Sequence, residues 1–171
     1  MLLGALGLEF DTVPPQVDER RDGEARELVE SNAVAKAQDV AARVERGATV
    51  LAGDTEVALE GEVLGQPGDG AEAESFIRKL SGREHEVLGG LAVSGPSGER
   101  SGVAASKVRF RELEPALIAA YVASGEWRGR AGGYAVQGLG SALVDAIEGD
   151  LSNVIGLPVG LLSELAPELL A

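Results

Sequence analysis

The chain lacks cysteine, has one histidine among its 171 residues, and is poor in aromatic side chains, which make up 4% of the total. Without cysteine there are no disulfides, thiolate metal sites or cysteine nucleophiles. So few aromatic residues leave no stacking platform of the kind used by single-strand nucleic-acid binders. No apolar run approaches the length of a membrane span, and the first residues lack the basic region of a secretory signal. We therefore expect a cytoplasmic protein without a membrane partner.

Positive charge is also scarce. The sequence has 15 lysine and arginine residues against 28 aspartate and glutamate residues, and its net charge is −13. Binding to a nucleic-acid backbone needs clustered cations, so we expect no nucleic-acid partner. A nucleotide in a small pocket is compatible with this charge, because a few local cations can outweigh the field of the whole chain. The length and the 44% hydrophobic content suit one globular domain spanning residues 1–171.

Apolar periodicity and turn residues predict alternating helices and strands. Helices are expected over residues 2–6, 23–45, 69–80 and 115–124, and from 158 almost to the end. Strands are expected over residues 8–13, 48–52, 84–93, 100–110, 134–137 and 142–147, with a hairpin over 56–64 that turns at Glu60-Gly61. Asn32 is expected to break the second helix, and Asp54 to lie in a turn. This order predicts an α/β domain with a mixed sheet.

Asp54 is the first candidate for chemistry, because it follows Gly53 at the end of an apolar strand, where α/β folds place ligand sites. Its carboxylate can bind Mg²⁺ or orient a water molecule. An Asx turn or a helix cap explains the same position without any chemistry, and position alone favours that simpler interpretation.

Three further candidates are weaker. Asp18 and Glu19 form a carboxylate pair that is equally typical of a solvated loop. Lys36 lies in an apolar helical run, where it either extends to the surface or directs its ammonium at a phosphate. His85 is the only histidine, and we expect it to be a hydrogen-bonding residue rather than a metal ligand or a member of a catalytic triad.

The segment 129–138 carries the most informative pattern. It places Arg130 on a glycine-rich turn and ends a short predicted strand at Gln137. Backbone amides in such turns bind anions, and a primary amide offers a donor and an acceptor to a pyrimidine. The spacing fits neither a P-loop nor a dinucleotide-binding motif. Residues 152–158 then lead into the last helix. The N-terminus of that helix could face an anion, or the segment could be a simple turn from strand to helix.

Eight short segments form an ordered series along almost the whole chain. They read Val-Asp-Glu at 17–19, Lys-Ala at 36–37, Ala-Gly-Asp-Thr at 52–55, Leu-Ser-Gly-Arg-Glu-His-Glu-Val at 80–87, Val-Arg-Phe at 108–110, Tyr-Val-Ala-Ser-Gly-Glu at 121–126, Ala-Gly-Gly-Tyr-Ala-Val-Gln-Gly at 131–138 and Asn-Val-Ile-Gly-Leu-Pro at 153–158. The series resembles the Maf family of nucleoside triphosphate pyrophosphatases, once described as septum-formation inhibitors.

The resemblance implies hydrolysis of a nucleoside triphosphate between its α and β phosphates, with a divalent cation, Mg²⁺ or Mn²⁺, as cofactor. It also implies a twisted mixed sheet flanked by helices, a cleft between two lobes, and a homodimer. Asp54 matches the catalytic aspartate that activates water with the cation. Glu19 and Lys36 match an acid and a lysine of the cleft, and Glu19 with Asp54 forms the expected metal site.

The remaining expected binding residues are Thr55, Gln66, Arg130 and Gln137. Thr55 and Gln137 match positions of the branch that prefers dTTP and UTP over 7-methyl-GTP, so the expected substrates are dTTP and UTP or modified pyrimidine nucleotides. Gln66 and Arg130 each stand where the family usually has a lysine, and Gly89 stands where it has a threonine. Arg130 keeps the positive charge and adds a planar fork suited to phosphate, whereas Gln66 removes a cation.

Family members open with a strand and a Ser-x-Ser-Pro-Arg-Arg loop that grips the triphosphate, and this sequence begins just after that loop. Two arginines and the lysine replaced by Gln66 are worth about 1.5–3 kcal/mol each as charge-assisted contacts. One explanation is a truncated or misassigned start. The other is a catalytically weakened paralogue that binds nucleotides or regulates cell division. An acidic structural protein without a pocket is the alternative outside this class.

Overall fold

A computed structural model describes residues 2–171. The helices are α1 (Leu2–Ala5), α2 (Ala25–Ala41), α3 (Gly70–Leu80), α4 (Pro115–Ser124), α5 (Leu151–Ile155) and α6 (Val159–Leu165). The strands are β1 (Val50–Leu59), β2 (Glu62–Leu64), β3 (Glu84–Gly95), β4 (Gly98–Phe110) and β5 (Val144–Glu148). Short 3₁₀ helices cover Ala131–Gly133, Gly138–Ala142 and Pro167–Leu169. No helix within residues 2–171 is long and apolar enough to cross a membrane.

The five strands form one sheet in the order β2-β1-β3-β4-β5. The predicted α/β fold, a sheet flanked by helices, is confirmed. The expected mixture of strand directions is wrong, because all four pairings between the described strands are antiparallel. Two tight hairpins produce β1-β2 and β3-β4, and α3 returns the chain so that β3 lies beside β1 in the opposite direction.

Local turn and cap signals are confirmed. The turn between β1 and β2 uses Glu60 and Gly61 with φ of 52° and 87°. The Asp69 side chain accepts a hydrogen bond of 2.9 Å from the Glu72 amide and so caps α3. Helix α4 begins at Pro115 and ends before Gly125, whose φ of 74° is the left-handed conformation that glycine favours at a helix end.

Two predicted strands are wrong. Residues 8–13 pair with no strand in the described part of the chain. The chain just after them is held near the end of α2, where the backbone amide of Gln16 donates to Asp39 and Arg43 donates to the Pro14 carbonyl. Residues 134–137 also lie outside the sheet. Glycines with positive φ on both sides of them, among them Gly138 with φ of 65°, bend the backbone away from an extended path.

Helix α2 and strand β1 both continue where the sequence predicted an interruption. Helix α2 passes unbroken through Asn32, because the Asn32 side chain bonds outside its own helix and does not compete for the helix backbone. Strand β1 passes through Asp54, which pairs with Gly90 of β3. Asp54 is therefore held by a rigid strand and not by a turn.

Helix α2 packs against one face of the sheet at very short range. A Cβ atom on Gly90 would lie 2.1 Å from the carbonyl oxygen of Val29, so only glycine fits between β3 and the helix backbone. Ala33 and Ala37 continue this contact with small, fully buried side chains. The opposite face carries the larger core, which includes Phe110 and Tyr121. The close helix contact places Asn32 and Lys36 beside β1.

Candidate active site

A cleft of about 610 Å³ opens along the first half of β1, before the three residues that pair with β2. All seven residues that the sequence singled out as a catalytic, metal-binding or substrate-binding set line this cleft. They are Glu19, Lys36, Asp54, Thr55, Gln66, Arg130 and Gln137. The structure therefore brings the predicted residues together from five separate segments, while their individual roles stay predictions.

Lys36 joins the two acidic side chains of the cleft. Its Nζ lies 2.7 Å from Oε1 of Glu19 and 2.7 Å from Oδ1 of Asp54. The Lys36 and Asp54 side chains are largely buried, with exposed fractions of 14% and 11%, whereas Glu19 is half exposed. Removing one partner of such a buried pair leaves an uncompensated charge. The three groups therefore act as one unit at the floor of the cleft.

The charge of Lys36 is maintained by its partners. Burial by itself lowers the pKa of the Lys36 ammonium, but the hydrogen bonds to Asp54 and Glu19, with the attraction of both carboxylates, outweigh burial and raise the pKa above its ordinary value of 10.5. The lysine is thus a fixed cation at neutral pH. Its charge is shared with two carboxylates before any phosphate arrives.

Asn32 completes the contacts of Asp54. Its Nδ2 donates hydrogen bonds of 3.0 Å to Oδ2 of Asp54 and 3.0 Å to the carbonyl oxygen of Arg20. With Lys36 on Oδ1 and Asn32 on Oδ2, each oxygen of the Asp54 carboxylate has a donor of its own. The plane of that carboxylate is consequently fixed by α2.

A third carboxylate, Glu56, lies behind this group. Strand residues two apart share a face, so Glu56 follows Asp54 on the side of β1 that faces α2. Its Oε2 is buried and has no hydrogen-bond partner within residues 2–171. Burial, assisted by repulsion from Asp54 and Glu19, raises the pKa of Glu56 to about 7. The positive charge of Lys36 offsets only part of this rise.

We expect Glu56→Gln to stabilise the fold at high pH. Between pH 4.5 and about 7 the folded chain retains a proton that the unfolded chain loses, so stability falls as pH rises. A fully buried group with this pKa would cost about 3 kcal/mol, and partial exposure reduces the cost to about 1–2 kcal/mol. Urea unfolding at pH 4 and pH 8 measures the difference, which should be present only at pH 8. The same gain at both pH values would contradict this account, and exposed Glu86→Gln serves as the control.

The loop that carries Arg130 and Gln137 is fixed by hydrogen bonds from its backbone amides to side chains that precede it in the chain. The backbone amide of Ala135 donates a hydrogen bond of 3.0 Å to the hydroxyl of Tyr121. Beyond Gln137, the Glu126 carboxylate accepts hydrogen bonds from the amides at positions 139 and 140, at 3.0 and 3.1 Å. Gln137 is therefore anchored on both sides, although its own region is neither helix nor strand.

His85 supports the same loop from the core. Its Nε2 lies 2.8 Å from the hydroxyl of Tyr134, and the two rings and that of Phe110 pack edge to face. Burial lowers the pKa of His85 to about 4, so the ring is neutral at neutral pH. The expectation that the single histidine is a hydrogen-bonding residue is confirmed at Nε2, whereas its buried Nδ1 has no hydrogen-bond partner within residues 2–171.

The opposite wall of the cleft is apolar. It is formed by leucines of α1, of the two central strands and of the segment before α6. These are Leu2, Leu3, Leu51, Leu91 and Leu157. Near this wall, Gly89 lies beneath Asn153, whose Oδ1 would be 2.0 Å from a Cβ atom at position 89. The fully buried Asn153 therefore occupies the space that a threonine side chain at that position would need. The cleft thus has a charged side and an apolar side.

Comparison with known proteins agrees with the sequence pattern. The family model described as Maf-like protein matches residues 1–169. The chain belongs to the Maf-like family. A relative from Deinococcus radiodurans named dTTP/UTP pyrophosphatase is 41% identical over 165 residues, which cover 96% of this chain and 84% of the relative. A relative of the same name from Dictyoglomus turgidum is 40% identical over 96% of this chain and 87% of its own length. Another from Pyrococcus furiosus is 42% identical over 83% of this chain and 74% of its own length.

The acidic side of this Maf-like cleft suits a divalent cation. Mg²⁺ prefers oxygen ligands and is commonly held by one or two carboxylates together with substrate phosphates. Asp54 and Glu19 supply two carboxylates on this side of the cleft. Lys36 lies between the two carboxylates, and no cluster of three acidic or histidine side chains within residues 2–171 is arranged around a cation position. The donors therefore fit a cation that is completed by phosphate oxygens.

Sequence reasoning missed Asn32 and Glu56 as parts of the site. Asn32 stands four residues before Lys36, which places both side chains on one helix face, and this spacing was a usable signal. Glu56 was missed because the strand was expected to end before Asp54, which was assigned to a turn. A strand that continues to Leu59 puts Asp54 and Glu56 on the same face.

Proposed function

We propose that this Maf-like chain is a nucleoside triphosphate pyrophosphatase that acts on dTTP and UTP and releases the monophosphate and pyrophosphate. The single observation that carries the proposal is the cleft in which Asp54 lies beside Lys36 and Glu19. Both carboxylate oxygens of Asp54 accept hydrogen bonds there. The names of the relatives support the same activity and the same substrates.

In this proposal Asp54 accepts the proton of the attacking water. Its carboxylate has only acceptor oxygens, and the donors from Asn32 and Lys36 fix its direction. Hydrolysis of the bond between the α and β phosphates consumes this water and releases pyrophosphate as the leaving group. Phosphoryl transfer depends mainly on positioning and charge neutralisation, which a rigid acid and nearby cations provide.

Asp54 and Glu19 are the residues that would hold the divalent cation, Mg²⁺ or Mn²⁺. When bound, such a cation neutralises phosphate oxygens and favours the ionised form of a water molecule. Lys36 limits the repulsion between the two carboxylates and keeps both in place. The role of Glu19 is thus to bind the cation and to position the lysine.

Gln137 and Thr55 are proposed to recognise the nucleoside. A primary amide can donate to one polar atom of a pyrimidine edge and accept from its neighbour, as uracil and thymine require. Gln137 lies on an anchored loop and lines the cleft, which supports this role. The apolar wall that includes Leu51 and Leu91 is the surface against which an uncharged base would lie.

The test is a comparison of pyrophosphate release from dTTP, UTP, CTP and 7-methyl-GTP, each with Mg²⁺, with Mn²⁺ and with a chelator. The proposal expects the highest kcat/KM for dTTP and UTP and no turnover with the chelator. Equal rates for all four nucleotides would contradict the assigned substrates, and turnover with the chelator would contradict the cation.

We expect Arg130→Ala to raise KM for dTTP about 10-fold or more with a smaller change in kcat. Arg130 is exposed and lines the cleft, and it forms no ion pair with any residue from 2 to 171, so its guanidinium is available for phosphate. A charge-assisted contact is worth about 1.5–3 kcal/mol, which is roughly 10- to 150-fold in binding. Steady-state kinetics measures the effect. Arg128→Ala is the matched control, because Arg128 stacks on Trp127 outside the cleft; an equal rise in both variants would contradict the assignment.

A second candidate function is nucleotide binding without efficient hydrolysis. It is favoured by Gln66, which lines the cleft and brings no positive charge to it. Tight dTTP binding with no pyrophosphate release would support this candidate over the first. A homodimeric state, a cytoplasmic location and a role in septum formation are further proposals that rest on the family resemblance.

A further inference from the structure

Asn32 is the point where three separate segments of the site are joined. Its side chain is 3% exposed and all its polar atoms are used. Nδ2 donates to Oδ2 of Asp54 and to the carbonyl oxygen of Arg20, and Oδ1 accepts a hydrogen bond of 2.9 Å from the amide of Arg20. One amide on α2 therefore contacts β1 and the segment that precedes the helix.

The contact with Arg20 fixes the neighbouring acid as well. Asn32 holds both the amide and the carbonyl of Arg20, the residue directly after Glu19. The Glu19 side chain then reaches Lys36 one helical turn further along α2. Asn32 thus sets the position of Glu19 through the backbone and that of Asp54 through its carboxylate.

Packing alone does not require an amide at this position. The helix neighbours Val29 and Ala33 are apolar and fully buried, and an apolar side chain would avoid the cost of burying a polar group. The amide instead replaces the contacts that water would make with the Arg20 backbone and with Asp54. Its distinguishing property is the direction of its donor and acceptor.

We propose that Asn32 is a positioning residue that holds Asp54 and the Glu19 segment in the one arrangement that the reaction needs. The inference rests on the proposed function for its catalytic part and on the hydrogen bonds of Asn32 for its structural part. Outer-shell partners that orient reacting carboxylates are typically worth 10- to 100-fold in activity. The effect should fall on kcat, because Asn32 does not line the cleft.

The test uses Asn32→Leu, which keeps the approximate shape, and Asn32→Asp, which keeps an acceptor for the Arg20 amide but loses the donor to Asp54. We expect kcat for dTTP to fall 10- to 100-fold in both variants, with KM within about threefold of the unsubstituted chain. Gln38→Leu is the matched control, because this amide of α2 bonds to Glu99 outside the cleft. The control should retain full activity.

A second measurement follows hydrogen exchange at the Arg20 amide, which needs no activity. Exchange should be at least tenfold faster in Asn32→Leu than in Asn32→Asp, because only the aspartate retains an acceptor for that amide. Unchanged kcat in both Asn32 variants, or Arg20 exchange equal to that of the unsubstituted chain in Asn32→Leu, would overturn the inference.

A merely structural role is separated from positioning by combining Asn32→Leu with Asp54→Asn. The effects of substituting two residues that act through one group do not add. Asn32→Leu should therefore cause little further loss of kcat when Asp54 is already replaced. The same fold-loss in both backgrounds would overturn the positioning role. If the unsubstituted chain releases no pyrophosphate, the proposed function fails, and hydrogen exchange alone then decides the inference.

Discussion

Asp54→Asn is expected to reduce kcat for dTTP about 1,000-fold while leaving the fold intact. A positioned general base contributes roughly 10²- to 10⁴-fold, and an amide cannot accept the proton of water as a carboxylate does. The substitution also removes half of the negative charge proposed for the cation, which adds to the loss. Lys36 keeps Glu19 as a charged partner, and asparagine has nearly the shape of aspartate, so β1 and its pairing with β3 should persist. Steady-state pyrophosphate release, together with thermal unfolding, measures both effects.

The control for this substitution is Asp145→Asn. Asp145 is on β5, where it forms an exposed ion pair with Arg109 and does not line the cleft. An exposed ion pair contributes at most about 1 kcal/mol, so activity should be unchanged. Full activity of Asp54→Asn would show that another group activates water and would contradict the assignment of Asp54.

Gly90→Ala is expected to destabilise the fold by about 3 kcal/mol or more, which exceeds the effect of most single substitutions. The added Cβ atom would lie 2.1 Å from the Val29 oxygen, 2.4 Å from the Val29 carbonyl carbon and 2.9 Å from the Glu30 amide nitrogen. All three are backbone atoms and cannot rotate away. Relief requires α2 to move off the sheet, and this movement would also carry Asn32 and Lys36 away from Asp54.

Thermal and urea unfolding of Gly90→Ala measure this loss. For a domain of this size, 3 kcal/mol corresponds to a fall in Tm of roughly 6–12 °C. Gly65→Ala is the control, because a Cβ atom there meets nothing closer than 3.9 Å and its stability should change by less than about 0.5 kcal/mol. A Tm of Gly90→Ala equal to that of the unsubstituted chain would contradict the close packing of α2.

Local chemistry made part of the fold predictable from the sequence. The cap at Asp69, the hairpin at Glu60-Gly61 and the limits of α4 at Pro115 and Gly125 each depend on residues within a few positions of one another. Such features are determined by backbone preference and by short side-chain contacts. They were therefore visible without knowledge of the rest of the chain.

Features that depend on distant partners were not predictable in this way. The strand through Asp54 continues because β3 pairs along it, and Asn32 is compatible with a continuous helix because Arg20 and Asp54 satisfy its amide. The alternation in residues 8–13 resembles a strand, but no neighbouring strand pairs with it in the described part of the chain. Strand directions likewise follow from the crossover by α3, which periodicity does not report.

The candidate site was predictable as a set of residues but not as a geometry. The ordered motifs identify Glu19, Lys36, Asp54, Arg130 and Gln137 from the sequence, and the structure places all of them around one cleft. The sequence did not reveal that Lys36 bridges the two acids, because this contact joins positions far apart in the chain. The expectations about the start of the chain and about the effect of Gln66 stay predictions.

The most direct test of the central claim is the identity of the products formed from dTTP. The purified chain is incubated with dTTP and Mg²⁺ or Mn²⁺, and dTMP, dTDP, pyrophosphate and orthophosphate are quantified together. This account predicts equal amounts of dTMP and pyrophosphate, and their loss in Asp54→Asn. Formation of dTDP and orthophosphate, or equal product formation by the unsubstituted chain and Asp54→Asn, would contradict it.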